Sequence, residues 1–516
     1  MNPSVESARA RYRAGDHRRA EREVRELLAK HPDHAELVHL LGCLRRDRGH
    51  AAEAVELFER AVGLSPTQPE LLESLSGALL GRGDLDGAER EALLAQRCDP
   101  DRARPVLLMG LIAMERGDLE TALLRFSKAA AMEMPNLDAT TNMAVALNRA
   151  GEWRPAEEWS RSALRIAPNH SAAWINLGLS LKAQRRLEEA KEAFRRAGPD
   201  PRARFNLGYT LMLEGSLAEG LPLLEARKPL LGIGRGLSKH EWNGTAHPKR
   251  TLLVMHEQGM GDTLLMCRFW PALTQRFERV VAVVQPPLQR LLAGAFPGVE
   301  VVTSLEGVRY DLWCATMSLP WLLGIDSVDR IPREPWLAVP ESKPAESDLP
   351  DFAGAGPVAP ERGRPLRIGL NWAGNPKFTY DAIRSTHLPA VSILLQVPGI
   401  EWVSLHKGYL EHEAGAAGLP QPLRDAADFL DTAHVIRGLD LVISTETAIP
   451  NLSAAMGVPT CILASPDWDW RWAHWYPNVT VCAQDRPGEW ISACVHALET
   501  IRDEMLRREG DGAKAA

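Results

Sequence analysis

The sequence predicts an α-solenoid joined to an α/β half, and three observations predict it. Pro32, Pro66, Pro100 and Pro168 fall on a 34-residue grid, small residues recur at a fixed offset from them, and beyond about residue 250 short apolar runs alternate with helical patterns. A length of 516 residues suggests two to four domains. With 45% hydrophobic and 25% charged residues the balance is that of a folded soluble chain. Sixty Lys and Arg against 67 Asp and Glu give a net charge of −7, which supplies no general attraction for nucleic acid or anionic lipid. The opening Met1-Asn2-Pro3-Ser4-Val5-Glu6 lacks a basic start followed by an apolar stretch, and no 18 consecutive apolar residues occur, so a cytoplasmic chain without a membrane span is expected. Seven scattered cysteines with no C-x-x-C pair predict reduced, mostly buried thiols, with neither a disulfide framework nor a zinc site.

The first element is a repeat array over residues 1–230. Ten positions after each grid proline stands a small residue, Gly42, Ser76, Gly110 or Gly178, with Ala144 on the same grid and Gly208 after a repeat shortened by four. Ala54, Ala88, Ala122, Ala156 and Ala190 follow twelve positions later, and Ala61, Ala95, Ala129, Ala163 and Ala197 seven beyond those. With Phe58, Phe126 and Phe194 between the alanine columns, this is the pattern of tetratricopeptide repeats. Such helix pairs cannot bury their apolar faces alone, so they are expected to stack into a superhelix whose concave wall is lined by the first helices. Asn142, Asn176 and Asn206 sit two before the small residue in three consecutive repeats. A side-chain amide both donates and accepts, so such a ladder could hold the backbone of an extended peptide acceptor. The array resembles the O-GlcNAc transferase superhelix in this respect; the alternative is that these amides are solvated.

The second element alternates strands and helices. Thr251-Leu252-Leu253-Val254-Met255 reads as a strand, then a Gly-rich loop and a helix; Val280-Val281-Ala282-Val283-Val284 reads as the next strand. These belong to a first Rossmann-like unit over residues 231–340, and the βαβ pattern implies a parallel sheet. Residues 341–365, rich in Pro and Gly, read as a linker. Strands resume at Arg367 to Asn371, Trp402 to Leu405, Leu441 to Ser444 and Thr460 to Leu463, giving a second unit over residues 366–505, with a disordered tail at 506–516. Ligands of open α/β sheets bind at strand C-termini, so small-molecule chemistry is expected in the cleft between the units.

Several runs occur in one order: Glu257-Gln258-Gly259-Met260-Gly261-Asp262-Thr263, then Trp372 to Pro376 with Arg384-Ser385, then Ser404-Leu405-His406-Lys407-Gly408, then Leu441 to Ser444 through Gly457, then Pro466-Asp467-Trp468-Asp469-Trp470-Arg471-Trp472 with Trp475-Tyr476-Pro477. This order resembles bacterial tetratricopeptide proteins whose catalytic half is similar to ADP-heptose:lipopolysaccharide heptosyltransferases, inverting enzymes of the GT-B fold. The resemblance covers about residues 240–490. It implies transfer of a sugar from a nucleotide sugar, with Asp262 matching the proposed general base. A carboxylate within reach of the acceptor hydroxyl could take its proton as the glycosidic bond forms; an Asp before an apolar run also caps a helix, and the two roles are compatible.

For the donor, the resemblance places a basic residue near the diphosphate, and Lys377 and Arg384 are the candidates, with solvated surface positions as the alternative. Glu446 and Thr447 open the next helix, whose free N–H groups suit a phosphate. Lys407 is a further candidate for nucleotide contact. The family reads Asp-Thr and then His four residues on, whereas this chain has Glu446-Thr447 and Asn451, so Glu446 could accept from ribose and Asn451 could donate to a phosphate. The Trp468, Trp470, Trp472 and Trp475 cluster could stack on a base or sugar, though packing is the favoured reading. The one D-x-D, Asp467-Trp468-Asp469, lies in the family's Trp-Arg-Trp segment, so no metal or cofactor is expected. The implied function is inverting, metal-independent glycosyl transfer to a protein acceptor on the repeats, for which flagellin is one candidate suggested by the architecture of related bacterial proteins. The alternatives are a binding scaffold that has lost turnover, or a transferase acting on a surface saccharide.

Overall fold

The computed structural model describes residues 3–257, 259–340, 364–376 and 381–514. The chain divides into two compact units, Met1–Ser180 and Leu181–Ala516. The repeat pattern itself continues past that boundary, so the last repeat helices group with the α/β half and not with the preceding repeats.

The first unit is a stack of antiparallel helix pairs, beginning with Pro3–Arg13 and His17–Lys30 and continuing through Ala35–Asp47 and Ala51–Leu64, Pro69–Arg82 and Leu85–Cys98, Ala103–Glu115 and Leu119–Met132, and Leu137–Arg149 and Trp153–Ile166. Local chemistry repeats with the grid. Asp16, Asp84 and Asp118 each accept the backbone N–H three residues on, satisfying a donor that the helix start leaves free. The turn between paired helices is made by Gly15, Gly49, Gly83, Gly117 and Gly151, all at φ between +77° and +83°.

Packing explains the small-residue column. A Cβ on Gly42 would lie 2.7 Å from the Phe58 ring, and one on Gly110 would lie 2.6 Å from the Phe126 ring. Where the partner helix carries Ala92 in place of Phe, the small position relaxes to Ser76, whose buried hydroxyl donates to the Ala88 carbonyl at 2.8 Å. Both alanine columns are buried as the pattern predicts.

In the second unit the helices Leu187–Arg196, Pro201–Leu213 and Leu217–Leu224 complete the repeats. The glycine turn is kept at Gly215 but replaced by Arg185, which takes φ +58° without the freedom of glycine.

Among the described residues the α/β part contains two parallel five-stranded sheets. The first comprises β1 (His240–Glu241), β2 (His247–Met255), β3 (Phe277–Val283), β4 (Glu300–Val302) and β5 (Leu312–Ala315), in the order β1-β5-β2-β3-β4. The second comprises β6 (Leu366–Asn371), β7 (Ile400–Ser404), β8 (Leu441–Thr445), β9 (Thr460–Ala464) and β10 (Val479–Ala483), in the order β10-β9-β8-β6-β7. Each order reverses direction once, between β2 and β5 and between β6 and β8, which opens a crevice at the strand C-termini where ligands of doubly wound sheets sit.

One expectation is corrected at the chain's end. The final helix runs Trp490–Lys514, over residues read as a disordered tail; its buried Ala493, Cys494, Ala497 and Ile501 pack on the second sheet's core. Of the linker, residues 341–363 lie outside the described residues. Six of the seven cysteines are buried and all are free thiols, Cys98 being the exposed one. Among the described residues no helix is long and apolar enough to cross a membrane.

Candidate active site

The site is built from the two reversal points. Glu257 stands two residues after the end of β2, and Gly259 precedes the helix Met260–Met266. The Glu257 side chain is closed to solvent; it takes two hydrogen bonds from the Arg227 guanidinium at 2.7 and 2.9 Å and one from the Met317 N–H after β5 at 2.7 Å. That carboxylate clips the loops on either side of the first crevice together. Asp262 follows on the first turn of the helix, and its Oδ2 accepts the Gly259 N–H at 3.0 Å, so the capping role is present. Its Oδ1 accepts from Arg471 Nη1, which follows β9 of the other sheet.

Arg471 is shared. Its Nε and Nη2 donate to the two oxygens of Asp469, each at 2.8 Å, and Asp469 Oδ2 also accepts the Tyr209 hydroxyl at 3.0 Å. Burial pushes the Asp262 carboxyl above the usual range for Asp, and the charge of Arg471 restrains the rise. Burial would also lift Asp469, but the Arg471 charge and its hydrogen bonds hold that carboxyl below its ordinary value. Burial opposes the charge on Arg471, and the two carboxylates more than offset it, so Arg471 stays protonated. Phe205, Tyr209, Leu224, Arg227, Asp262, Met317, Asp469, Trp470 and Arg471 enclose a cavity of about 50 Å³, room for a few waters.

At the second crevice Asn371 ends β6 and donates from Nδ2 to Ser444 Oγ at 3.0 Å and to Thr447 Oγ1 at 3.2 Å. Its Oδ1 meets His406 Nδ1 at 3.0 Å, and the buried His406 ring stacks on Trp372 with centroids 4.7 Å apart. Thr447 caps the helix Ala448–Ala455. Arg384 is half-buried beside Gly374, pairs with Asp381 at 3.4 Å and donates to the Glu446 carbonyl at 3.1 Å; burial lowers its pKa. Arg384 and the Glu446 backbone are therefore brought together at the start of the segment that Thr447 caps. Lys377 lies outside the described residues. Lys407 donates to the Ala426 carbonyl.

Two donor candidates are placed otherwise than the family pattern implies. The Glu446 side chain accepts from the Asp469 N–H, the Trp472 indole, and the Ser465 N–H and hydroxyl, so it anchors the segment after β9. Asn451 is buried; it donates to the Thr447 carbonyl at 2.8 Å, accepts the Tyr476 hydroxyl at 2.7 Å, and lies 2.7 Å from where a Cβ on Gly261 would stand. It is a packing contact between the two sheets' helices. The tryptophans also pack: Trp470 and Trp475 meet edge to face at 5.1 Å, and Trp472 stacks on Tyr476. Of the D-x-D pair, Asp467 is held by Lys182 at 2.8 Å and Asp469 by Arg471. Among the described residues no group of His, Cys, Asp and Glu is placed to hold a metal ion.

On the repeats, Asn142 and Asn206 are half-exposed, and each donates to the carbonyl four residues back, at 2.9 and 2.8 Å. Asn176 is 6% exposed. Sequence reasoning missed Arg227, Asn371, Tyr209 and Arg471; Arg471 stands in the Trp-rich run after β9, and a charge among apolar rings was the available signal that it is paired inside the fold.

Family profiles of the tetratricopeptide repeat match residues 5–69, 107–171 and 175–228, and a second profile of that repeat matches residues 45–112. The solenoid is thus a tetratricopeptide array, an architecture that serves as a protein-binding scaffold. The chain is similar to Protein FlbA of Caulobacter vibrioides, with 23% identity over 534 residues, covering 95% of this chain and 87% of that protein. It is also similar to the TPR repeat-containing thioredoxin TTL4 of Arabidopsis thaliana, 28% identical over 127 residues that cover 23% of this chain and 19% of that one. A solved structure of the APC/C hetero-tetramer Cut9–Hcn1 aligns with a TM-score of 0.41 and 15% identity, covering 44% of this chain and 46% of its own.

Proposed function

We propose that the α/β half is an inverting glycosyltransferase of GT-B type, moving a sugar from a nucleotide-sugar donor to a hydroxyl of a protein held by the repeats. The observation that carries this reading is the position of Asp262: a buried carboxylate at the reversal point of one sheet, bonded to an arginine that follows a strand C-terminus of the other. Asp262 takes the proton of the acceptor hydroxyl as its oxygen bonds to the anomeric carbon, and the nucleoside diphosphate departs. Arg384 and the N–H groups opening the helix Ala448–Ala455 stabilise the diphosphate, without a metal or cofactor.

A second reading is supported by Glu446 and Asn451, whose side chains are committed to packing. In that reading the protein is a binding scaffold without turnover. A panel of UDP-, ADP-, GDP- and CMP-sugars read by thermal midpoint separates the two. Transferase function predicts that one donor class raises the midpoint, since a ligand at 100 times its Kd stabilises by about 2.7 kcal/mol. No response to any class would favour the scaffold.

A further inference from the structure

The segment following β9 is held by the last repeats residue after residue. Lys182 Nζ contacts both Asp467 oxygens at 2.8 and 2.9 Å. Arg185, the residue that stands at positive φ in the glycine turn column, donates from Nε to the Pro466 carbonyl at 3.2 Å and lies 4.0 Å over the Trp468 ring. Tyr209 donates to Asp469. Asp469 grips Arg471 with both oxygens, and Arg471 reaches Asp262. An arginine fork held by two parallel hydrogen bonds has its remaining nitrogen aimed in a fixed direction. A non-glycine residue at positive φ is tolerated where surrounding contacts over-determine it, and the Arg185 contacts are those with Pro466 and Trp468.

We propose that Tyr209, Asp469 and Arg471 form a positioning chain through which the repeat helix Pro201–Leu213 orients the Asp262 carboxylate. This rests on the reading of Asp262 as the base and adds the repeat side to the active site. A carboxylate on the first turn of a helix rotates freely about its side-chain bonds unless both oxygens are held, and here Gly259 holds one and Arg471 the other. The charged and titratable groups facing this cluster are Arg471, Asp469, Glu257, Tyr476 and Arg227 around Asp262, with Lys182, Arg185, Asp467 and Glu446 around Tyr209 and Asp469. Arg471 is bonded to the Asp262 carboxylate itself, and Asp469 and Tyr209 act through Arg471.

The test is the titration of Asp262 in the full-length protein, followed by carboxyl carbon NMR and assigned by the signal lost in Asp262→Asn. Arg471→Gln should displace the Asp262 midpoint upward by about one to three pH units, the effect of losing an adjacent opposite charge. Arg471→Lys should restore part of the displacement. Tyr209→Phe, which keeps the ring and removes only the hydroxyl, should move it in the same direction by less. Should Arg471→Gln fail to fold, Tyr209→Phe carries the test, since it removes no charge near Asp262. An Asp262 signal that titrates in these variants as in wild type would overturn the proposal. The titration needs no donor. If Asp262 responds but no nucleotide sugar is turned over, the chain stands and the transferase reading falls.

Discussion

Arg471 pairs with Asp262 across 209 positions of sequence, with the Asp262 side chain 6% and the Arg471 side chain 20% exposed. It joins the segment after β9 in the second sheet to the helix that follows β2 in the first. Arg268 adds to this closure, donating to the Trp475 carbonyl at 2.7 Å and the Pro332 carbonyl at 3.1 Å with its guanidinium 3.6 Å over Trp336. Removing one partner of such a buried pair costs about 3–5 kcal/mol.

The packing of the repeats predicts opposite signs for two glycine substitutions. Gly110→Ala gains about 1 kcal/mol in helix propensity but drives a methyl into Phe126, an overpacking that costs about 1–3 kcal/mol. A Cβ on Gly81 meets nothing within 4 Å, so Gly81→Ala should stabilise. Urea unfolding should place the Gly110 variant below wild type and the Gly81 variant at or above it; equal effects would contradict the register.

Glu446 predicts a pH dependence. Burial holds its carboxyl above the ordinary value of 4.5, so the native state keeps this proton where the unfolded chain has lost it. Its contribution to stability is therefore least at neutral pH, grows as pH falls through the native pKa, and is level below about 4.5. Glu446→Gln cannot titrate. The wild-type stability minus that of the variant should rise on acidification from neutrality and then flatten; parallel curves would remove burial as the cause.

Arg384 should contribute to donor affinity through the diphosphate. Arg384→Ala is expected to weaken a nucleotide sugar by about 1.5–3 kcal/mol, the range for a hydrogen bond to a charged group, while free nucleoside binding changes little. Isothermal titration with both ligands decides it, because equal weakening would mark a folding effect transmitted through Asp381 and the Glu446 carbonyl.

The solenoid was legible because its period is written in residue types whose job is steric: Gly42 exists for Phe58, and Ser76 accompanies Ala92. The long strands β2, β3, β6 and β8 were legible as apolar runs. β5 escaped because Leu312-Trp313-Cys314-Ala315 is four residues long, and β4 because three residues carry no period. In the site, Asp262 was singled out by the resemblance carried by the run Glu257 to Thr263, which matches it to the proposed general base. Glu446 and Asn451 were found as positions but not as contacts, since their side chains are satisfied by partners 19 to 26 residues on, which no local pattern states. Tyr209 was invisible for the same reason: its partner, Asp469, stands 260 positions away.

The most direct measurement is nucleoside diphosphate release from the stabilising nucleotide sugar, with and without acceptor protein, in wild type and Asp262→Asn. A transferase with Asp262 as its base should show acceptor-dependent release in wild type, a fall of about a hundredfold or more in the variant, and donor binding retained by both. Release at the wild-type rate in Asp262→Asn would contradict the assignment of Asp262 as the base, and donor binding without release in wild type would contradict transfer itself.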